Sequence, residues 1–287
     1  MLKLTPHIYP EPATQLALLK NRNSALDWAP VVQLLEERFA IYRAALPTLS
    51  RLAPPPALVM TNKGDLAGIY ASQAGVALEI KEAVRKLSET QCPYCGEPSS
   101  PTHIDHFLPQ STFPEFAFFS QNLVPSCDGC NSTKLADIWD ADSNARLFLN
   151  PFLDEFLNTP FFHLRVDPDP VLGYNAPAFD AVWDIALVPS LSDRQRCDIH
   201  FKKLGVIKRA RAHFMRRCNA LRYQTRALVT ALHLNSADLA LDLEALHDAQ
   251  VNTGAPNSWD ALTYRSILRC PGYLQFICTV PFNPATQ

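Results

Sequence analysis

Charge of one sign is what this sequence most plainly lacks. Its 26 basic and 28 acidic residues leave a formal net charge of −2. The molecule as a whole therefore projects no basic field toward nucleic acid, and any such contact must come from a local patch. No apolar run reaches the roughly 20 residues that a bilayer-spanning helix needs, so no membrane span is expected. The start, Met1-Leu2-Lys3-Leu4-Thr5-Pro6, has no basic cap followed by an apolar stretch, which reads as no secretory signal. A reducing, cytoplasmic setting is the default expectation, and there paired cysteines favour metal over disulfide. Internal repeats and low-complexity tracts are missing. So is any Gly-rich phosphate loop, and no nucleotide site is expected within the chain.

What is present is a globular composition, 47% apolar over 287 residues, enough for one large domain or two to three small ones. The first ninety residues read as helical. Apolar residues recur at helical spacing over Val31–Leu46, with Leu34, Leu35, Phe39, Ile41, Tyr42 and Leu46, and again over about Gly75–Thr90, whose Lys and Glu residues form the expected solvated face. Between them Pro54-Pro55-Pro56 reads as a stiff connector. From Gln91 to about Pro151 turn formers, cysteines, aromatics and prolines replace that period. Asp167-Pro168-Asp169-Pro170 is expected to be loop and Ala178–Leu187 a strand. Helices are expected again from Ser192, from near Ser236, and after a Ser258 cap. The segment Lys202–Arg226 holds nine basic residues and no acid. It is expected to form one basic helix that tracks a phosphate backbone through Arg209, Arg216 and Arg217, or else a solvated helix facing an acidic partner or the chain's own acidic helix around Asp238–Asp248.

The chemistry concentrates between Cys92 and Lys134. Of eight cysteines, four form two Cys-x-x-Cys pairs, Cys92/Cys95 and Cys127/Cys130; the other four are expected to be ordinary buried thiols. Four thiolates close a tetrahedral shell, so structural Zn2+ is expected, as a staple for a stretch whose own core is small. The weighed alternatives are a disulfide pair, idle thiols or a plain zinc ribbon. Between the pairs lie Thr102-His103-Ile104-Asp105-His106-Phe107-Leu108-Pro109 and Asn122-Leu123-Val124-Pro125, and Asn131 and Lys134 follow the last cysteine. Asp105 is a hard oxygen ligand suited to magnesium or manganese. His106, with an intrinsic pKa near ~6.5, is a base at physiological pH. His103 shares a strand face with Asp105 and stays open between a site contact and a structural or solvent-facing role. Lys134 stays open between a phosphate contact and a capping or solvated lysine.

This pattern resembles the HNH endonuclease family, and its Asp105–Ser111 run looks like the HNH domain of RNA-guided CRISPR effectors. The resemblance implies an α+β fold, with a zinc-stapled ββα-metal core flanked by mostly helical N- and C-terminal regions. It implies His106 as the general base, Asn122 as an organiser whose amide holds the His106 backbone, and Asp105 and Asn131 as ligands of a catalytic Mg2+ or Mn2+. The expected layout is a helical region at 1–90, the nuclease core at 91–150, and a mostly helical region at 151–287. That layout is similar to the nuclease subunits of Septu-type ATPase–nuclease anti-phage systems, which implies DNA as substrate and an AAA/ABC-type ATPase as partner. The competing expectation is a zinc-stapled nucleic-acid or protein-binding module without catalysis.

Overall fold

The computed structural model describes residues 1–6, 28–46, 48–73, 75–136, 138–140, 145–184, 186–188, 190–232 and 235–279, without the side chains of 225–232. The architecture is α+β, and the chain divides into two compact units. One comprises Lys3–Tyr94 and Ser99–Glu155; the other comprises Met1–Leu2, Cys95–Pro98 and the residues from Phe156 on. No helix among the described residues is long and apolar enough to cross a membrane.

In the first unit, helix α1 spans Ala29–Ala45, with a proline in its first turn and Val31, Leu35, Phe39 and Tyr42 inward. The proline connector leads into two short helices that the periodicity did not reveal, α2 (Ala57–Thr61) and α3 (Lys63–Ala71). Asn62, Gly64 and Gly68 interrupt their apolar residues, so neither carries a readable stripe. Helix α4 spans Gly75–Lys86, starting from a glycine at positive φ. Its lysines are not all solvated as expected. Lys81 is 4% exposed, because its ammonium caps the end of α3 at the carbonyls of Tyr70 (3.1 Å) and Ser72 (2.6 Å). Strands β1 (His103–His106) and β2 (Leu123–Ser126) pair antiparallel, His103 with Ser126 and His106 with Leu123. Ile80 and Val84 of α4 pack on Leu123, with Ile104 alongside. Helix α5 (Asp128–Lys134) follows β2 and packs on β1. An aromatic cluster of Phe39, Tyr42, Phe116 and Phe119 supports the loop between the strands.

A second support lies further on. Arg146 and Asp154, both buried, form a bidentate pair at 2.6 and 2.5 Å. Asp154 also accepts the Asn150 amide at 2.7 Å. Removing one partner strands the other charge, so Arg146→Met is expected to cost about 3–5 kcal/mol in denaturant unfolding. Adding Asp154→Asn, which deletes the charge but keeps an acceptor, recovers part of that. Equal stability of the single variant and the parent would contradict the account.

In the second unit, β3 (Phe162–Asp169) and β4 (Gly173–Trp183) form a hairpin. Three of the four residues of the expected loop at Asp167–Pro170 are therefore strand. Pro168, without an N–H, occupies the register shift between Asp167 and Asp169. Asp169 closes the turn by accepting the amides of Val171 and Leu172. The expected strand ends at Trp183, not Leu187. The single basic helix is also corrected. It is two helices, α6 (Leu191–Lys203) and α7 (Val206–Leu232), broken at Gly205, which takes φ +59° and bonds back to Lys202. Helix α8 (Ser236–Asn252) starts with an Asn235/Asp238 capping box, and α9 (Trp259–Leu268) with the Ser258 cap. Helix α10 (Pro271–Thr279) was hidden behind a Pro-Gly pair that reads as a turn, although proline suits a first helical position.

His163 on β3 gives this unit a pH dependence. Its Nδ1 accepts from Arg269 at 2.9 Å, so the ring is neutral. Burial, then the charges of Arg269 and Arg265, push its pKa down to about 4. A histidine depressed from its unfolded value of ~6.5 costs stability as pH falls through that window and nothing above it. Thermal melting should therefore weaken between pH 6.5 and 4, and His163→Gln should flatten that slope; an unchanged slope would refute the assignment.

Candidate functional site

Cys92, Cys95, Cys127 and Cys130 are all buried, and their sulfurs lie within 4.8 Å of one another. Among the described residues they are the one group of three or more His, Cys, Asp or Glu side chains placed to hold a metal ion. Zn–S bonds of about 2.3 Å put tetrahedral thiolates roughly 3.8 Å apart, so the donor set fits structural zinc. The Cys127 amide points at the Cys92 sulfur at 3.4 Å, a bond that suits a thiolate acceptor. Cys95 ends the turn of residues 93–95. Its carbonyl accepts the Trp259 indole N–H at 2.7 Å, and the Gly96 carbonyl accepts the Trp259 amide at 2.9 Å. Gly96 takes φ +82°, and a Cβ there would collide with the Asn257 carbonyl oxygen.

Strand parity separates the side chains of β1: His103 and Asp105 on one face, Ile104 and His106 on the other. His106 is half-buried. Its Nε2 lies 2.8 Å from the Ala117 carbonyl, and the Tyr70 ring meets its imidazole edge-on at 4.5 Å. A carbonyl can only accept, so Nε2 carries the proton and the neutral ring keeps its lone pair on Nδ1. Burial holds the imidazole below its usual pKa, against the Ala117 bond and the Asp105 charge, which raise it.

Asn122 is fully buried. Its Oδ1 accepts the Leu108 amide at 2.7 Å, and its Nδ2 donates to Leu108 O at 3.0 Å and Phe116 O at 3.3 Å. Its own carbonyl accepts the Phe107 amide at 2.8 Å. The amide thus grips the residues after His106 rather than the His106 backbone itself, because the chain turns away from β2 at Phe107. Asp105 is 7% exposed. Asn131 is half-buried on α5, and its backbone N–H donates to the Cys127 carbonyl. His103 is exposed and 3.3 Å from the Asp128 carboxylate.

Of its sequence readings, Lys134 does not take the solvated one. It is 2% exposed and turned inward. Its ammonium donates to the carbonyls of His106 and Phe107, each at 3.0 Å, and lies 2.9 Å from Asp105 Oδ2. In this position it is structural rather than phosphate-facing, because those buried carbonyls need a donor. The Tyr94 hydroxyl donates to the same Oδ2 at 2.7 Å. Tyr94 and Tyr70 were missed in the sequence. For Tyr94 the available signal was its place inside the first cysteine pair.

The basic helix spends much of its charge inside its own unit. Arg209 pairs with Glu97 at 3.0 Å, and Arg217 bonds the Tyr264 hydroxyl and lies 3.6 Å from Asp260. Arg216 is exposed, as are Lys202, Lys203, Lys208 and Arg211. The Arg226 side chain lies outside the described residues.

Two curated proteins resemble the chain. It is 24% identical over 200 residues to protein ea31 of Escherichia phage lambda, which covers 66% of this chain and 65% of that protein. It is 34% identical over 91 residues to the Septu protein PtuB of Bacillus thuringiensis, covering 30% of this chain and 32% of that protein. The chain thus matches just under two thirds of the first relative's length and about one third of the second's. No family model matches the sequence, and no solved structure matches the fold.

Proposed function

We propose that this protein is an HNH-type nuclease that hydrolyses DNA phosphodiester bonds with a divalent cation, and that it acts in anti-phage defence beside an AAA/ABC-type ATPase. The observation that carries the reading is His106: a half-buried imidazole with Nε2–H fixed on the Ala117 carbonyl, next in sequence to Asp105. That bond leaves Nδ1 as the acceptor for a water proton. Asp105 and Asn131 are oxygen donors on β1 and on the helix packed against it, and they fit a hard cation. Asp105 and Asn131 would hold magnesium or manganese, which when bound would supply neutralisation of the charge that builds up during hydrolysis. His106 then takes the proton of the attacking water, Asn122 keeps the loop that follows it in register, and the four thiolates fix the hairpin to α5. Inverted around the scissile phosphorus, the products carry 5′-phosphate and 3′-hydroxyl ends.

The 34% identity to the Septu protein PtuB supports the defence assignment and, with it, the ATPase. In this reading residues 91–150 form the nuclease core, and the regions 1–90 and 151–287 dock partner and DNA. The exposed Arg216, with Lys208 and Arg211, carries the phosphate contact. Arg209 and Arg217, expected beside it, hold it in place.

The test is incubation of the zinc-loaded protein with supercoiled plasmid and magnesium or manganese, with and without the ATPase encoded beside it. Nicked or linear product with ligatable 5′-phosphate ends is the expected result. DNA bound but left intact under every condition would favour the competing reading, a zinc-stapled binding module without catalysis.

A further inference from the structure

Asp105 carries its hydrogen bonds in an uneven way. Both fall on one oxygen: Oδ2 accepts the Tyr94 hydroxyl at 2.7 Å and lies 2.9 Å from the Lys134 ammonium. An ammonium has three hydrogens. Those of Lys134 are spent on Asp105, His106 O and Phe107 O. With Lys134 2% exposed, this cation cannot swing out to solvent or to DNA. The carboxylate is thus matched by one fixed positive charge and one neutral donor, and its other oxygen, Oδ1, is left for a further partner.

We propose that Lys134 and Tyr94 make cation capture at Asp105 conditional on a phosphate: the free protein holds a divalent cation weakly, and the DNA backbone supplies the missing negative charge. The inference rests on the nuclease reading of Asp105. Oxygen-ligated divalent cations are held largely by the summed charge of their ligands. The other donor that the nuclease reading assigns to this cation, Asn131, is a neutral amide. A cation approaching Asp105 therefore meets a carboxylate whose charge is already balanced and an ammonium that repels it. A phosphodiester restores the deficit, so cation and DNA must each raise the affinity for the other by the same factor. Tyr94 is a positioning residue here: it shares the burden on Oδ2 and orients the carboxylate without touching the cation.

Manganese binding followed by electron paramagnetic resonance tests this without relying on cleavage. The full-length, zinc-loaded protein is used with His106→Ala in the background, so that a short DNA duplex stays intact. Adding the duplex should tighten manganese binding by about tenfold or more, a free-energy change of ~1.4 kcal/mol per tenfold. Lys134→Met should tighten binding without DNA by a similar factor and shrink the effect of the duplex. Because that variant strands two buried carbonyls, Tyr94→Phe serves as the isosteric check: tighter manganese binding in the same direction, with zinc content and melting temperature unchanged. Asp105→Asn should remove the signal. Equal affinity with and without duplex overturns the proposal, as does an affinity that neither variant alters or a signal that survives Asp105→Asn. If this coupling holds but the parent protein never cuts DNA, the nuclease reading fails alone. If the parent cuts DNA but no coupling appears, this inference fails alone.

Discussion

Replacing His106 with alanine is expected to slow DNA cleavage by about 10²- to 10⁴-fold, the usual weight of a positioned general base. The imidazole is placed by two contacts that have no other evident use. The Ala117 carbonyl takes Nε2–H at 2.8 Å, and the Tyr70 ring leans on its edge at 4.5 Å. Neither contact holds the hairpin, which is secured by the Asn122 amide and by Leu123 against Ile80 and Val84. The variant should therefore keep its zinc and its folded circular-dichroism spectrum. Single-turnover cleavage is the measurement, and added free imidazole should restore part of the rate. A variant as fast as the parent would remove His106 from the chemistry.

Stripping the metal from the four cysteines should be the more destructive change. A strong chelator, or Cys130→Ser, is expected to abolish cooperative unfolding of the Lys3–Tyr94 and Ser99–Glu155 unit. Apparent free energies for structural zinc run to about 10–16 kcal/mol. That matches or exceeds the roughly 5–15 kcal/mol by which whole domains are stable. The segment depends on the metal more than most. Cys92 and Cys127 close a 35-residue loop whose two strands have four residues each, too short to persist alone. Metal analysis should give one zinc per chain. Melting with and without chelator, followed by zinc readdition, should show reversible loss of the transition. An unaltered melt in fully metal-free protein would rule out the staple.

Local rules made parts of this molecule readable in advance, and tertiary demands hid the others. The two cysteine pairs signalled one cluster because a tetrahedral shell has few other uses for that spacing. Helices α1 and α4, the start of α8 near Ser236 and the cap at Ser258 followed from periodicity and side-chain chemistry close in sequence. Lys81 and Lys134 were opaque for one shared reason. Each points inward to satisfy buried carbonyls supplied by a different segment, and no periodicity encodes where such a carbonyl will be. The basic run concealed the break at Gly205, because its charge pattern continues across a residue that the backbone needs at positive φ. The bonds that Arg209 and Arg217 make within the chain were hidden for a related reason. Their partners Glu97, Tyr264 and Asp260 lie 112, 47 and 43 positions away in the chain.

Gly96 gives a lesson about how such a protein tolerates change. Its missing side chain is filled by the Asn257 carbonyl of a distant loop, in a backbone geometry closed to other residues. A survey of substitutions would score this position as severely as a reacting group, although it donates no proton, ligand or charge. Inactivity after mutation is therefore a poor guide to chemistry beside the first cysteine pair: at 96 a neighbouring carbonyl occupies the place of a side chain, and only assays that separate folding from turnover would reveal it.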